Sequence, residues 1–391
     1  MTPMRRLGSV ALLVLACSGC ATVGPVEDIQ PGERPSLETD EAGLWMYMDR
    51  METALATSGR VVTDPALNAY VRDIVCRLSP DYCRDIRIYI VRTPHFNATM
   101  APNGFMQVWT GLMLRATNEA QLAYVIGHEI GHFQRRHSIQ RWRDARNKTD
   151  FAAVFQVAAA AAGAGYAGSL ASLAAIASIL SFSRDQEREA DDVGFTTMAN
   201  AGYDPEQAPR IWEALLEERD ASDKPEQVVF FATHPSTEER IGTLREQAQA
   251  LIAKGAPRDA GAEKYKRIVG PFRDEWLRDE FRKREYAETE VVMNRLLAEE
   301  RQNGDVLFMK GEFYRIRDES GDEDRAIEAY KAALLGDGAP PETHRSLGLV
   351  FWDAGRNDEA RASFAEYLRA APDASDRKMV EAYVKELETP Q

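Results

Sequence analysis

Apolar residues recur at helical spacing near the start of the chain. Residues 41–57 and 65–78 each carry an apolar residue every three or four positions, so both segments are predicted to be amphipathic helices. In the first segment these positions are Leu44, Met48, Met51 and Leu55. Helices of this kind bury one face against a core, and the first folded domain is therefore predicted to begin near residue 44.

An alternating pattern follows. β-Branched and polar side chains take turns over residues 86–91, which predicts a strand. Residues 96–100 and 105–110 flank Asn103 and Gly104. Asn-Gly is a strong signal for a tight turn, so these two segments are predicted to pair as a β-hairpin.

Helical spacing then returns over residues 117–132, 183–200 and 205–218. The first of these segments is apolar on most of its faces and is predicted to be buried, with Thr117 or Asn118 as its N-cap. The second is densely charged.

The last third of the chain repeats itself. Ala326 and Ala360 stand 34 residues apart, as do Tyr330 and Phe364, and this spacing is the tetratricopeptide period. Residues 268–391 are therefore predicted to form an all-α solenoid of tetratricopeptide repeats. A generic helical bundle is the alternative.

The overall charge of the chain argues against one class of binding partner, nucleic acid. The 391 residues include 48 Lys and Arg against 62 Asp and Glu, a formal net charge of -14. An acidic chain of this kind is not expected to bind nucleic acid. Its length suits two or three domains.

The N-terminus predicts export and lipidation. A short basic start and an apolar run over residues 1–19 end in small residues before Cys20, the pattern of a lipoprotein signal peptide. Cys17 is the second candidate for the lipidated residue, and an ordinary secretory signal is the alternative. Residues 20–43 are polar and proline-containing, so they are predicted to be a flexible tether.

Cys76 and Cys83 are the two cysteines outside the export signal. An exported chain meets an oxidising compartment, where two nearby cysteines are expected to form a disulfide. Two buried free thiols are the alternative. A zinc role is disfavoured because no further cysteine remains to complete such a site.

The strongest chemical signal is the run from His128 through Glu129 to His132, in which the two histidines are four residues apart. Residues at this spacing share a helix face, so both imidazoles can bind one metal ion. Glu129 lies close enough to act as general base on a water that zinc activates. Because the surrounding helix is apolar, these polar side chains need a buried partner, and one zinc ion supplies it.

A catalytic zinc usually takes a third protein ligand. His137 is one candidate, since a histidine five residues after His132 could approach the metal. Glu187 on the charged helix is the other, and Asp191 shares a face with it and could orient a ligand histidine through a hydrogen bond. The spacing alone does not decide between the two candidates.

Residues 151–182 contain no charged side chain. A single membrane crossing there would place the proposed zinc ligands on opposite sides, and two crossings need roughly 20 residues each. The segment is therefore predicted to be a helical hairpin buried in the core. A shallow dip into a membrane is the alternative.

Several motifs together resemble one protein family. The His128 to His132 run, the apolar stretch and residues 183–191 resemble the HtpX and Oma-type zinc metallopeptidases, which are gluzincins. Residues 97–104 resemble the family's strand pair, and Thr233-His234-Pro235 followed by Arg240 resembles its late histidine-proline motif. With the export signal and the repeats, the whole chain is similar to BepA-like periplasmic lipoprotein proteases.

The resemblance implies an α+β fold. A mainly helical peptidase domain with a small sheet would occupy residues 44–255, ahead of the repeats. It implies Glu187 as the third zinc ligand. His234 would lie near the zinc, where it could stabilise the oxyanion, plug the open zinc position or have only a structural role. The hairpin would offer an edge strand to an extended substrate through three residues: Asn97, Ala98 and Met100.

The expected function is a zinc metalloendopeptidase of the bacterial cell envelope that degrades unfolded or misassembled outer-membrane proteins. The repeats would bind clients or the outer-membrane assembly machinery, and the lipid anchor would hold the chain at the periplasmic face of the outer membrane. The alternative is a periplasmic chaperone or adaptor whose repeats carry the function.

Overall fold

The computed structural model describes residues 26–147, 181–222, 230, 234 and 238–388, and shows an α+β chain that is mostly helical. Two predictions from the sequence lie outside the described residues: the export signal with its lipidated Cys20 or Cys17, and the helical hairpin, apart from residues 181 and 182. Within the described residues, no helix has both the length and the apolar character that a membrane crossing requires.

The first described segment holds five helices and three strands. They are α1 (Asp40–Ala56), α2 (Pro65–Leu78), β1 (Arg87–Val91), β2 (Ala98–Met100), β3 (Phe105–Trp109), α3 (Thr110–Arg115), α4 (Glu119–Gln134) and α5 (His137–Asn147). The helices predicted over 41–57 and 65–78 and the strand predicted over 86–91 are confirmed to within one residue.

Three further helices complete the N-terminal part. They are α6 (Arg184–Asn200), α7 (Gln207–Ala221) and α8 (Glu238–Ala253). Side-chain caps fix where two of the functional helices begin. The Asn118 side chain accepts a hydrogen bond from the Gln121 backbone at the start of α4, and Ser183 and Gln186 form a reciprocal capping box at the start of α6.

The sheet has the strand order β1-β3-β2. β1 runs parallel to β3, and β2 runs antiparallel to β3 as the second arm of the predicted hairpin. The turn needs glycine at position 104, because φ is +85° and a side chain would collide with the Asp85 carbonyl. β2 is left at the edge of this sheet, next to α4.

The predicted tether over residues 20–43 is wrong for its described part. Ile29 is only 4% exposed, and its backbone N–H donates to the Gln134 carbonyl at the end of α4 (3.0 Å). The Tyr82 hydroxyl donates to the Ile29 carbonyl (2.7 Å). One apolar side chain with two backbone hydrogen bonds thus fixes a stretch whose composition is otherwise that of a linker.

A disulfide joins Cys76, near the end of α2, to Cys83 in the following turn, with 4.7 Å between their Cα atoms. It closes the loop that carries Tyr82. The ring of Tyr82 packs edge-on against Phe133, one residue after the second histidine of the α4 motif. The closed loop therefore supports the end of the helix that carries the motif.

Among the described residues, the C-terminal part is built of helices, with one isolated β-bridge between Asn303 and Asp337. Its helices are α9 (Ala262–Val269), α10 (Arg273–Phe281), α11 (Tyr286–Glu299), α12 (Gly304–Arg317), α13 (Asp322–Leu335), α14 (Glu342–Asp353), α15 (Asn357–Ala370) and α16 (Arg377–Leu387). Helices α12 and α13 pack as one antiparallel pair, and α14 and α15 as the next.

The large residues of the 34-residue period, Tyr330 and Phe364, each pack on a glycine of the preceding helix. A Cβ at Gly311 of α12 would collide with the Tyr330 ring of α13. At Gly348 of α14 it would lie 2.6 Å from the Phe364 ring of α15. The repeat in the sequence therefore corresponds to a repeated helix contact.

Candidate metal centre

Two helices supply most of the predicted site. α4 carries His128, Glu129 and His132, and α6 carries Glu187 and Asp191; all five side chains are buried. A buried cluster of this kind must provide its own hydrogen-bond or metal partners.

Small residues let these two helices approach closely. A Cβ at Gly194 of α6 would lie 2.7 Å from the backbone nitrogen of His128, closer than real Cβ atoms come to such atoms. Gly127 and Gly131 of α4 lie in the same contact, each with neighbours about 3 Å from the position of a Cβ. The absence of side chains here brings the first turn of α6 within reach of both histidines.

Four side chains converge on one point. The Nε2 atoms of His128 and His132 are 3.1 Å apart. The Glu187 carboxylate lies 3.7 Å from the first and 3.5 Å from the second. His234 places Nδ1 3.0 Å from Glu187. One ligand atom from each of the four residues lies within 4.8 Å of all the others, a spacing that allows them to hold a metal ion.

Asp191 orients the first histidine. Its Oδ1 atom lies 3.0 Å from Nδ1 of His128 and accepts a hydrogen bond from the Tyr124 hydroxyl (2.7 Å). Since Nδ1 is engaged in this way, Nε2 of His128 faces the cluster. Carboxylate–histidine contacts of this form commonly fix a metal ligand in place.

Arg240 of α8 is the partner of both α6 carboxylates. It donates from Nε and Nη2 to Asp191 (2.6 and 2.8 Å), and its Nη1 lies 2.6 Å from Glu187. Burial alone would raise the pKa of Asp191, but the guanidinium of Arg240 lowers it to about 2.

His137 does not belong to the four-residue group. Its Nδ1 atom lies 2.9 Å from Nδ1 of His132, on the side of the ring away from the cluster, and its Nε2 lies 3.1 Å from Glu189. Of the two candidates for a third ligand, the structure brings Glu187 to the cluster and turns His137 away from it.

Glu129 lies beside the four converging side chains. Its Oε1 atom is buried, has no hydrogen-bond partner and lies 3.5 Å from Nε2 of His234. Burial raises the pKa of Glu129 above its ordinary value, although His234, His128 and a backbone hydrogen bond from Met100 act in the opposite direction. The result is a carboxyl group that holds a proton more readily than one in water.

The pKa of Glu187 changes in the opposite sense. Burial disfavours its charged form, but His234 and His132 outweigh that effect and hold the pKa well below its usual range. Glu187 is therefore ionised, as a metal-binding carboxylate must be. The pKa of His234 is raised: burial lowers it, and the negative charges of Glu187 and Glu129 outweigh burial.

Aromatic rings enclose the histidines. Phe182 stacks on His132 with 3.8 Å between ring centroids, and Phe230 stacks on His234 at 4.5 Å. Trp212 of α7 stacks on Phe230 and donates from Nε1 to the Tyr124 hydroxyl (3.0 Å). These walls lower the local dielectric constant and strengthen every charge interaction inside.

Sequence reasoning did not identify this shell. The one available signal was Tyr124, which precedes His128 by four residues and so shares its helix face.

The main-chain groups on the outer side of the edge strand lie next to the cluster, where the Met100 N–H already donates to Glu129. The Asn97 carbonyl and the Ala101 N–H bond to β3. Because strand residues alternate in direction, the main-chain groups of Ala98 and Met100 point away from β3. Among the described residues no strand pairs on that side.

Comparison with known proteins gives one family match. Residues 61–248 match the model of peptidase family M48.

Named relatives share part of their length with the chain. The beta-barrel assembly-enhancing protease of Yersinia pestis is 26% identical over 263 residues, 63% of this chain and 53% of that protein. Its counterpart in Escherichia coli K12 is 25% identical over 206 residues, covering 50% and 42%. The mitochondrial metalloendopeptidase OMA1 of Arabidopsis thaliana is 33% identical over 170 residues, covering 43% and 32%. The chain thus spans about half the length of the bacterial relatives it matches.

Proposed function

Residues 61–248 form a peptidase family M48 domain, and from that premise we propose that the chain is a zinc-dependent metalloendopeptidase. His128, His132 and Glu187 are its proposed zinc ligands, and Glu129 is its proposed general base. The observation that carries the proposal is the convergence of buried ligand atoms from α4 and α6 within 4.8 Å of one another.

The chemistry of the donors fits zinc. Two imidazole nitrogens and one carboxylate from separate helices are a ligand set that catalytic zinc sites use. The unpartnered Oε1 atom of Glu129 supports the same reading, because a buried carboxylate oxygen without a hydrogen bond costs free energy unless another group enters the site.

Each side chain then has a task in peptide hydrolysis. Zinc, when bound, supplies a Lewis acid that lowers the pKa of a water molecule toward neutrality. Glu129 is placed to accept the proton of the attacking water. Because burial raises its pKa, Glu129 can hold that proton and return it to the leaving amine.

His234 is proposed to act at the reacting end of the site. Its Nε2 atom, 3.5 Å from Glu129, suits a donor to the oxyanion of the tetrahedral intermediate. Its Nδ1 atom, 3.0 Å from Glu187 and 3.4 Å from Nε2 of His128, also suits a removable plug at the open zinc position. Cleavage by His234→Ala separates the two roles, because losing an oxyanion donor slows the reaction and losing a plug speeds it.

The substrate is proposed to add as a strand beside β2. The outward main-chain groups of Ala98 and the carbonyl of Met100 would pair with an extended peptide, and Asn97 begins the same edge. Main-chain pairing gives little selectivity for side chains, which suits unfolded or misassembled polypeptides. The backbone bond from Met100 to Glu129 would keep the bound strand next to the base.

The biological setting is also a proposal. Two of the relatives are named beta-barrel assembly-enhancing proteases. We place the chain in the same setting, as a periplasmic lipoprotein anchored through Cys20 at the outer membrane. Its C-terminal helix pairs are proposed to be tetratricopeptide repeats that bind clients or the assembly machinery. The repeated Gly-to-ring contacts inside the pairs support this reading.

The test is the Glu129→Gln variant. It should keep zinc, since the three ligands are untouched, and lose cleavage of an unfolded protein substrate, since the amide accepts no proton. Undiminished proteolysis would exclude Glu129 as the base. If this variant also restores function in cells lacking the protein, while a chain truncated after Pro271 does not, the chaperone or adaptor alternative is favoured.

A further inference from the structure

His137 presents a constraint on proton positions that the proposed mechanism does not use. Two Nδ1 atoms, those of His132 and His137, lie 2.9 Å apart in a buried site. At this distance they share one proton, so one nitrogen donates and the other accepts.

The zinc-binding side decides which nitrogen donates. If Nε2 of His132 binds the metal, its proton must sit on Nδ1, and Nδ1 of His137 must accept. A neutral His137 then carries its own proton on Nε2, which lies 3.1 Å from the Glu189 carboxylate. All proton positions along Glu189, His137 and His132 are thereby fixed.

The backbone is arranged to bring His137 back onto His132. Arg136, in the turn between α4 and α5, adopts a left-handed conformation with φ of +54°, which is unfavourable for a residue other than glycine. Its guanidinium is held by Glu41 and by Glu33 (3.3 Å). The N-terminal segment thus holds the turn that gives His137 its position.

We propose that His137 is a positioning residue for the zinc ligand His132, and that Glu189 sets the tautomer of His137 in turn. The inference rests on the proposed zinc site. The two histidine ligands are then oriented differently: His128 by the carboxylate of Asp191 and His132 by a neutral imidazole. Only the hydrogen-bonded series that runs from His132 through His137 ends on a half-exposed residue, since the Glu189 side chain is 47% exposed.

Zinc affinity tests the proposal without relying on activity. His137→Leu removes the acceptor and should weaken zinc binding about 10- to 100-fold, the usual cost of losing an outer-shell partner. His137→Asn places an amide oxygen near the same point and should recover most of that loss. His344→Asn, in α14, is the matched control and should bind zinc as the native chain does.

Chelator competition on the purified full chain gives the affinities, and nitrogen–proton NMR correlation identifies the ring nitrogen that carries the proton in His132. The proposal predicts protonated Nδ1 on His132 in the native chain and in His137→Asn. It is overturned if His137→Leu binds zinc like the native chain, or if His137→Asn is as weak as His137→Leu, which would indicate packing alone.

Glu189→Ala provides a second arm, because a half-exposed residue can be truncated with little risk to folding. It should weaken zinc binding less than His137→Leu does, and Glu189→Gln, which still accepts a hydrogen bond, should not. Equal affinities for Glu189→Ala and the native chain would overturn the role of Glu189. A native chain that binds no zinc would instead refute the proposed function itself.

Discussion

Arg240 is the residue on which the charge balance of the site depends. It contacts Glu187 and Asp191 together, and all three side chains are almost fully buried. Removing one partner from a buried ion pair is costly, because the remaining charge keeps its desolvation penalty without compensation.

Arg240→Met should therefore destabilise the metal-free protein by about 3–5 kcal/mol, since it leaves two buried carboxylates without their cation. Urea unfolding of the metal-free chain measures this loss. Arg245→Met is the matched control on the same helix, because Arg245 pairs with Glu213 at the surface and its loss should cost at most about 1 kcal/mol. Equal stabilities for the two variants would contradict the assigned role of Arg240.

The sequence predicts which residues share a helix face when they lie within about one helical turn of each other. His128 and His132 share a face because they are four residues apart, and so do Glu187 and Asp191. The contacts of Arg240, His234 and Phe182 could not be predicted from spacing, because they join segments whose distance depends on the packing of the whole domain. Only the family resemblance indicated His234 and favoured Glu187.

The close contact between helices α4 and α6 sets the geometry of the site. Gly194 faces the backbone of His128 so closely that no side chain fits. A wider separation would move Glu187 away from both histidines, so the proposed zinc ligands depend on a residue that contributes no ligand.

Gly194→Ala should lower both zinc affinity and stability, because the new methyl group must push α6 from α4. The matched control is Gly242→Ala in α8, where a Cβ meets nothing within 4 Å. That change should stabilise the chain by about 0.5–1 kcal/mol through helix propensity. Chelator competition and thermal unfolding of both variants check the prediction, which would be contradicted if Gly194→Ala bound zinc normally.

Elements with local signals were predictable. The Asn103-Gly104 turn predicted the hairpin, and Asn118 was one of two N-cap candidates for α4. The parallel pairing of β1 with β3 was not predicted, because parallel strands are joined by long connections that leave no local pattern. The docking of Ile29 was missed for the same reason: a single buried residue has no periodicity.

The N-terminal and C-terminal parts of the molecule are joined by buried charges. Arg115 of α3 donates to Glu218 of α7 (2.5 Å) and to Glu280 of α10 (2.7 Å). Burial opposes ionisation of Glu280, but Arg115 and Lys283 lower its pKa to about 2. The ion pair thus links the N-terminal part to the first helices of the C-terminal part.

This link predicts a pH dependence. The pKa of Glu280 is lower in the folded chain than the ordinary value near 4.3, so its contribution is complete above about pH 5 and is lost as the pH falls toward 2. Glu280→Gln does not titrate there. The native chain should exceed it in stability by up to about 3 kcal/mol at pH 6, and this difference should shrink at pH 3.

Urea unfolding of the metal-free native chain and variant at the two pH values gives the comparison. Glu366→Gln, which alters an exposed pair with Arg369, should have the same stability as the native chain at both pH values. A difference between the native chain and Glu280→Gln that does not change with pH would exclude the proposed role of this ion pair.

For the molecule as a whole, the 34-residue period was the most informative feature of the sequence. Repeated helix packing needs small and large residues at repeated positions, so the pattern is visible without a structure. Tyr330 and Phe364 keep that spacing, and each ring packs on a glycine of the preceding helix. The relative placement of the two parts could not be predicted, since it depends on ion pairs such as Arg115 with Glu280 between residues far apart in the chain.

The metal content of the purified chain shows whether the four-residue cluster binds zinc. Mass spectrometry should find one zinc ion per native chain, and almost none in His128→Ala, which removes one of the three proposed ligands. A native chain without zinc, or a His128→Ala variant with the native amount, would refute the proposed zinc site.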